Sequence, residues 1–342
     1  MFVRDCWYVA AFSHELVEQP LPRTLLGEPV VLFRSREGQA VALEDRCCHR
    51  GLPLAHGEVV AEGIQCGYHG LVYDCSGRCV RIPNQDTIPA AARVTAYPLR
   101  ERDGLVWIWL GDAARAESVE PLAYPWHSAP GWAHKGKRNE VAAPHGLVID
   151  NLLDLTHVGF VHKHTIGGMP ATHSNAETKT SRTDHGLRMV RWMRDSVPPP
   201  TYVAVAGFQG RVDRWTEVEF QPGYVTINAC AKDVGTGAYE GKHEGAFSLR
   251  SLHAVTPETE HSTHYFWTIS HQAREGRPEL TERVYNEIDA TFAEDKVIIE
   301  AQFQRLQQKP QPPLLDLKAD ATALQARRII SLRIEQEGAR AR

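Results

Sequence analysis

The 342-residue chain is long enough for about two domains of typical size. Hydrophobic residues make up 42% of it and charged residues 23%, an ordinary globular composition that argues against wholesale disorder. The formal net charge of −4 lacks the basic excess of a nucleic-acid-binding protein. No apolar run approaches the roughly 20 residues of a membrane span, and the first residues do not form a secretory signal, so we expect a soluble, cytoplasmic protein.

The first third of the chain, to about residue 112, consists of short segments rich in Val, Leu, Ile, Tyr and Trp. Gly, Pro, Asp and Ser separate these segments, a pattern that predicts an all-β unit with little helix. Residues 113–145 are expected to form an irregular, proline-containing connector. We therefore predict a first domain at residues 1–118 and a second at residues 119–342.

The rest of the chain mixes helical and strand patterns. A helical segment over residues 145–164 is followed by strand patterns over residues 174–270. A long helix is predicted over residues 278–308, stopped by Pro310, and a last helix over residues 319–338. The second domain is thus expected to be α+β, an antiparallel sheet with a long C-terminal helix to pack on it.

Two short loops of the first domain each contain one cysteine and one histidine, Cys47 with His49 and Cys66 with His69. Two thiolates and two imidazoles suit either a zinc ion or a [2Fe–2S] cluster of the Rieske type. Zinc fingers usually group a cysteine pair and a histidine pair, whereas each loop here is mixed. The spacing therefore favours the Rieske cluster, with structural zinc as the alternative.

The neighbours of these four residues support the same interpretation. Gly51 and Gly70 follow the two histidines and permit a tight backbone approach, so that amide N–H groups can donate to the sulfurs. Cys48 is expected to be a small buried residue and not a ligand. Because seven cysteines are an odd number, metal ligands and free thiols are favoured over a disulfide framework.

The predicted helical segment supplies a second candidate site. Asn151, Asp154 and His157 are spaced by three residues and share one face of the helix. His162 lies five residues beyond His157, about 140° away around an ideal helix. Both imidazoles can reach one ion only if the helix ends or loosens, which we expect near Gly159.

Two imidazoles and one carboxylate around an ion with open positions form the facial triad of non-haem Fe(II) oxygenases. The carboxylate must come from a distant segment, and Asp295 in the long helix is the predicted ligand. Glu294 and Asp289 are alternatives to it, and His164 is an alternative to His162. A capped helix face would explain Asp154 and His157 alone, but a redox cluster upstream needs a destination for its electrons.

Together and in this order, the two motifs resemble those of the Rieske non-haem iron oxygenases, most closely the vanillate O-demethylase-like oxygenase subunits. The resemblance extends over six segments of this chain, residues 5–11, 47–54, 66–71, 106–112, 150–157 and 292–295. It implies a Rieske domain followed by a catalytic domain with a helix-grip (START-like) sheet. It also implies a homotrimer in which the cluster of one subunit lies beside the iron of the next.

The same resemblance implies roles for particular residues. Asp154 would bridge the cluster ligand His69 to the iron ligand His157 across the subunit boundary, and Asn151 would lie near the iron. Asn228 and His253 resemble positions that point into the substrate pocket of this group.

The implied activity is that of a terminal oxygenase. Electrons from NAD(P)H would arrive through a reductase or ferredoxin, and O₂ would be used to hydroxylate or O-demethylate a small aromatic acid or methoxyarene. A cis-dihydroxylating dioxygenase is the alternative within enzymes. A zinc-stabilised binding module and a bare Rieske electron carrier are the alternatives outside them.

Overall fold

The computed structural model of the chain describes residues 1–163, 166–167, 169–274, 276–308 and 314–340. The chain divides into two compact units. The first contains Met1–Tyr124, Thr256–Glu260 and the C-terminal segment from Glu337, and the second contains Pro125–Val255 and His261–Gln336. None of the helices in the described residues is long and apolar enough to cross a membrane.

The first unit is built from three small antiparallel sheets, which confirms the predicted all-β architecture. The strand orders are β1-β10-β9, β2-β3-β4 and β5-β6-β7-β8. The strands are β1 Trp7–Phe12, β2 Leu21–Leu25, β3 Glu28–Arg34, β4 Ala40–Glu44, β5 Glu58–Val60, β6 Gly63–Gln65, β7 Val72–Tyr73, β8 Cys79–Arg81, β9 Leu99–Arg102 and β10 Leu105–Trp109, followed by the short helix α1 Ala113–Ala116.

The second unit contains one antiparallel sheet of seven strands, in the order β11-β17-β16-β15-β14-β13-β12. Its strands are β11 Trp132–Val141, β12 Glu177–Arg182, β13 Leu187–Ser196, β14 Val212–Gln221, β15 Tyr224–Asp233, β16 Phe247–Pro257 and β17 Thr263–Gln272. Its helices are α2 His145–Leu153, α3 Val158–Val161, α4 Pro170–Ser174, α5 Pro200–Ala206, α6 Glu279–Gln307 and α7 Ala321–Arg340. The α+β prediction, an antiparallel sheet with a long C-terminal helix, is confirmed.

Helix α6 packs its apolar face on the sheet. Val284, Ile288 and Phe292 recur every four residues, which places them on one side of the helix, and all are buried. The ring of Phe292 meets that of Trp267 from β17 edge to face, with centroids 5.0 Å apart. Because Asp295 lies one turn beyond Phe292 on this face, the packing carries a carboxylate into the interior.

The strand β11 falls within the stretch that was expected to be an irregular connector, so that expectation is wrong. Its sequence is mostly polar, and ion pairs with α6 account for this, since Lys135 contacts Glu282 at 2.7 Å and Lys137 contacts Asp289 at 2.6 Å. The strand pairs with β17 along its whole length and forms one edge of the sheet. Polar edge strands lack the apolar alternation by which strands are recognised in a sequence.

The helical tail agrees with the sequence pattern to within two residues at each end of both helices. The predicted stop at Pro310 lies outside the described residues. The helix expected over residues 145–164 is interrupted earlier than predicted, at Asp154, which has extended backbone angles of φ −107° and ψ 95°. The expectation of a break near Gly159 is therefore wrong, because Gly159 lies inside the short helix α3.

Two candidate metal centres

The two Cys/His loops of the first unit are closed by the same pair of backbone hydrogen bonds. In the first loop, the N–H of Cys47 donates to the carbonyl of Leu52 and the N–H of Gly51 donates to that of Cys47, both at 2.9 Å. In the second loop, the N–H of Cys66 donates to the carbonyl of Leu71 at 2.8 Å, and the N–H of Gly70 donates to that of Cys66 at 3.1 Å. The two loops are therefore a matched pair in structure as well as in sequence.

Glycine is required at the end of each loop. Gly51 and Gly70 have φ values of +74° and +71°, in the left-handed region that favours residues without a Cβ atom. The turn brings the N–H groups of Tyr68 and His69 to the Cys66 sulfur. Burial raises the pKa of the Cys66 thiol, and hydrogen bonds from these two N–H groups act in the opposite direction.

The cysteines and the histidines of the two loops differ in their burial. The side chains of Cys47 and Cys66 are buried, 3% and 1% exposed, whereas His49 and His69 are exposed. The two imidazole rings lie with centroids 4.5 Å apart at an interplanar angle of 65°. Two thiols inside and two adjacent imidazoles at the surface are the donor set that a Rieske cluster needs for its inner and outer iron.

The hydroxyl of Tyr73 lies against these sulfurs and was not recognised from the sequence. It is 3.2 Å from the sulfur of Cys47 and 3.1 Å from that of Cys48, and it accepts the N–H of Cys48 at 3.2 Å. Tyr73 is buried in β7, directly after the second loop. Cys48 itself is exposed, so the expectation that it is buried is wrong.

The second unit brings His157, His162 and Asp295 together. Their potential ligand atoms all lie within 4.8 Å of one another. The Nε2 atoms of His157 and His162 are 3.4 and 3.1 Å from Oδ1 of Asp295. Two imidazoles and one carboxylate converging on one point fit the facial arrangement of a mononuclear iron.

The interruption of α2 at Asp154 makes this convergence possible. The Asp154 carboxylate accepts hydrogen bonds from the N–H and the hydroxyl of Thr156, at 2.9 and 2.6 Å, which fixes a tight turn. His157 then contacts the carbonyl of Asp154 through Nδ1. Nε2 of His157 is left to face Asp295.

The second imidazole is oriented by the neighbour of the carboxylate ligand. Nδ1 of His162 contacts Oε2 of Glu294 at 2.7 Å, while its Nε2 faces Asp295. Histidines that bind metals are commonly held in this way, with the other ring nitrogen hydrogen-bonded to a carboxylate or a carbonyl. Glu294 therefore has a different place from Asp295, although the two are adjacent in sequence.

This geometry separates the alternatives left open by the sequence. Asp289 pairs with Lys137 on the edge strand, and Glu294 holds the outer nitrogen of His162, so Asp295 is the carboxylate that joins the two imidazoles. His164 lies outside the described residues.

Asn151 lies at the same point as the three converging groups. Its Nδ2 donates to Oδ1 of Asp295 at 3.0 Å. Burial acts to raise the pKa of Asp295, but hydrogen bonds from His157 and His162 outweigh it and hold the pKa well below its usual range. The carboxylate is thus kept ionised and ready for a cation.

The converging groups open into a largely apolar cavity of about 110 Å³ inside the second unit. His253 lines this cavity and contacts the hydroxyls of Tyr265 and Ser251 at 2.6 and 2.7 Å. Burial lowers the pKa of His253 to about 3, so the ring is neutral. Both ring nitrogens of His253 therefore have hydrogen-bond partners within the sheet.

Asn228 is not among the residues that line the cavity, so the prediction that it points into the pocket is wrong. Side chains alternate between the two faces of a strand, and in β15 the neighbours Ile227 and Ala229 face the cavity. The Asn228 side chain accepts a hydrogen bond from the hydroxyl of Ser248 at 2.7 Å.

Two buried arginines, Arg191 and Arg214, and the buried histidine His173 also line the cavity. Sequence reasoning missed all three. The alternation of side chains in β13 and β14 places both arginines on the same strand face as buried apolar residues such as Met189 and Val218. A charged residue on a buried face is unusual, and this pattern could have identified both arginines from the sequence.

Comparison with known proteins places this chain in the class of iron oxygenases that have two metal centres. Residues 6–98 match the family described as the Rieske [2Fe-2S] domain, and residues 141–336 match the vanillate O-demethylase oxygenase C-terminal domain. The chain therefore belongs to the Rieske non-haem iron oxygenases, among the vanillate O-demethylase-like oxygenase subunits. As a member of this family it carries a Rieske [2Fe–2S] cluster and a mononuclear iron.

Relatives match over nearly the whole chain. A putative toluene-4-sulfonate monooxygenase system iron-sulfur subunit from Comamonas testosteroni is 38% identical, covering 98% of both chains. A vanillate O-demethylase oxygenase subunit from a Pseudomonas strain is 34% identical, covering 99% of this chain and 97% of its own. The crystal structure of dicamba monooxygenase bound to dicamba superposes with a TM-score of 0.89 at 32% identity, covering 99% of both chains. Two further relatives are named as oxygenase components, one of a chloroacetanilide N-alkylformylase and one of a dicamba O-demethylase.

Replacement of three acidic residues of α6, Asp289, Glu294 and Asp295, should separate their roles. Asp295→Ala should lose the mononuclear iron, about one of three irons per chain, while the visible spectrum of the cluster is kept. Glu294→Gln should weaken mononuclear iron binding by about 10- to 100-fold, because it removes the group that orients His162. Asp289→Asn is the matched control on the same helix and should keep all its iron. Equal iron loss in Asp289→Asn and Asp295→Ala would contradict this assignment.

Removal of the Tyr73 hydroxyl should lower the reduction potential of the cluster. A hydrogen bond to a cluster sulfur stabilises the reduced, more negative state, and one bond of about 1 kcal/mol corresponds to about 40 mV for one electron. Tyr73→Phe should therefore shift the midpoint potential downward by this order in a spectroscopic redox titration. An unchanged potential, with the cluster fully loaded, would show that the hydroxyl does not act on the cluster.

Proposed function

We propose that this chain is a monooxygenase for a small aromatic substrate, which it hydroxylates or O-demethylates at an iron held by His157, His162 and Asp295. In this proposal Cys47, His49, Cys66 and His69 hold the cluster. The domains at residues 1–118 and 119–342 carry the cluster and the mononuclear iron, respectively. The observation that carries the proposal is the opening of the converging donors into an apolar cavity within the same unit.

When bound, the mononuclear iron supplies the activation of O₂ with electrons that reach it through the cluster. The protein residues bind and orient the substrate around it. Leu152, Ile227 and Ile288 are among the apolar walls of the cavity, which suit an aromatic ring and exclude water. A cavity of about 110 Å³ is comparable with the roughly 150 Å³ that takes up one benzene molecule in an engineered protein.

The names of the relatives support an aromatic substrate. They are named for vanillate, toluene-4-sulfonate and dicamba, and the first and last of these enzymes are called O-demethylases. For a methoxyarene, hydroxylation of the methyl carbon gives a hemiacetal that collapses to a phenol and formaldehyde. An aromatic acid or methoxyarene is therefore the proposed substrate class, and the expected cytoplasmic location stays a prediction.

The chain is proposed to work as a homotrimer with a reductase or ferredoxin as electron donor. The exposure of His49 and His69 at the tips of their loops supports this, because a ligand at the surface can face a neighbouring subunit or a partner. Asp154 would bridge His69 of one subunit to His157 of the next. A heterologous ring of three chains has closed symmetry, and a solution mass of one chain instead of three would contradict it.

The activity is tested with purified protein, a surrogate reductase, NADH and a set of methoxybenzoates. Substrate-dependent O₂ uptake and formaldehyde release are expected, and ¹⁸O₂ should place one labelled oxygen in the formaldehyde, trapped before it exchanges with water, or in the new hydroxyl group of a hydroxylated product, as a monooxygenase requires. His157→Ala should abolish turnover and keep the visible spectrum of the cluster. His185→Ala, at an exposed position, is the control and should retain activity. Formaldehyde formed without O₂ or by His157→Ala, or two labelled oxygens in a cis-diol, would contradict the proposal.

A further inference from the structure

Arg214 places a positive charge inside the cavity of the second unit. The residue lies in β14, where Val212, Arg214 and Thr216 share one face of the strand and are buried. Arg214 is 5% exposed and lines the same cavity as the converging donors His157, His162 and Asp295, and it also lines a second, neighbouring cavity. A guanidinium is a cation, so the wall of the cavity carries a positive charge.

Arg214 has no anionic partner among the described residues. No carboxylate of that part of the chain lies within 4 Å of its guanidinium, and its Nε finds no hydrogen-bond acceptor. The side chain of Tyr202 is its neutral neighbour: the ring centroid is 5.1 Å from the guanidinium carbon, and Tyr202 shares a side-chain hydrogen bond with Arg214. A buried charge without a counter-ion is costly to a folded protein, which indicates that a ligand provides the partner.

The neighbouring Arg191 differs in this respect. It is 3% exposed, and its guanidinium donates to the carbonyls of Leu155 and His173 at 3.1 and 2.7 Å. Asp154 also acts electrostatically on it. The hydrogen bonds of Arg191 hold the loops around the iron site together, so its donors are used by the protein itself, whereas Arg214 has, among the described residues, an Nε without an acceptor and a hydrogen bond only to the neutral Tyr202 side chain.

His173 connects Arg214 to the iron site. The charges of Arg214, Arg191 and His157 all act on its ring, and all four residues line the same cavity. Nε2 of His173 contacts the carbonyl of Gly167 at 2.7 Å, which fixes the ring at the cavity wall. A group bound to Arg214 is therefore in the same small space as the reacting carbon of the substrate.

We propose that Arg214 binds an oxyanion of the substrate, a carboxylate or a sulfonate, and thereby selects anionic arenes and orients them toward the iron. This inference rests on the proposed function, since it names the substrate class of the same cavity. The planar fork of a guanidinium matches two oxygens of such a group. The apolar walls hold the ring, so one charged contact is sufficient to fix its direction.

The binding test needs no turnover. Titration calorimetry on the iron-loaded protein, without electron donor, would compare methoxybenzoate, methoxybenzenesulfonate and methoxybenzamide with the methoxy group at the same ring position. The wild-type protein should bind at least one oxyanion about 10- to 100-fold more tightly than the amide, the range of a hydrogen bond to a charged group. Comparison of the two acids shows which oxyanion the site prefers.

Three variants assign this preference to one residue. Arg214→Leu should bind the acids and the amide with similar affinity, and Arg214→Lys should retain part of the preference, because it keeps the charge and loses the fork. Arg188→Leu removes a guanidinium from the solvent-exposed face of the adjacent strand β13, where it pairs with Glu217 at 2.9 Å, and should leave the preference unchanged. Circular dichroism and the cluster spectrum verify that each variant is folded.

The outcomes distinguish this inference from the proposed function. Equal binding of acid and amide by the wild type, or an equal loss for both in Arg214→Leu, would overturn the oxyanion site, even if methoxyarenes are turned over. Selective binding of the acids without oxidation of any of them would contradict the proposed function and leave the oxyanion site supported. If Arg214→Leu does not fold, the wild-type preference and its reduction in Arg214→Lys decide, and either the absence of a wild-type preference or its full retention in Arg214→Lys overturns the inference.

Discussion

The second unit depends on one buried carboxylate, that of Asp295, which is contacted by two imidazoles and one amide. Oδ1 of Asp295 lies 3.1 Å from Nε2 of His162 and 3.0 Å from the donating Nδ2 of Asn151. A carboxylate at 8% exposure is stable only when its oxygens are paired. The need to satisfy this group brings together two segments that are more than 130 residues apart in the sequence.

The surrounding fold serves to place this carboxylate and to keep it charged. The apolar face of α6, with Ile288 and Phe292, packs against β17 and fixes the position of Asp295 one turn further on. The break of α2 at Asp154 turns His157 toward it. The backbone carbonyl of Asp154 and the carboxylate of Glu294 then hold the outer nitrogens, so hydrogen bonds of the protein orient both imidazole rings.

The matched Cys/His loops were predictable from the sequence because the pattern that defines them is local. Cys47 and His49 are two residues apart, and Cys66 and His69 three, so loop spacing alone defined the donor set. The sequence favoured Asp295 as the carboxylate ligand. Only the packing of α6 on the sheet shows that Asp295, and not Glu294, lies between the two imidazoles. The sequence of a helix alone does not determine how that helix packs.

The wrong predictions have equally physical reasons. Asn228 was expected in the pocket, but strand alternation turns it to the other face and presents Ile227 and Ala229 instead. The roles of Tyr73 and Arg214 depend on neighbours from other strands, so they follow from sheet register and not from spacing along the chain. The polar edge strand β11 was missed because the charges that stabilise it lie on α6.

Metal and sulfide analysis combined with electron paramagnetic resonance decides whether one chain holds two different iron centres. The purified protein should contain about three irons and about two acid-labile sulfides per chain. It should also give a [2Fe–2S] signal after reduction and have a separate high-spin ferrous site that binds nitric oxide. Zinc in place of iron, or two irons with no second site that binds nitric oxide, would contradict the account.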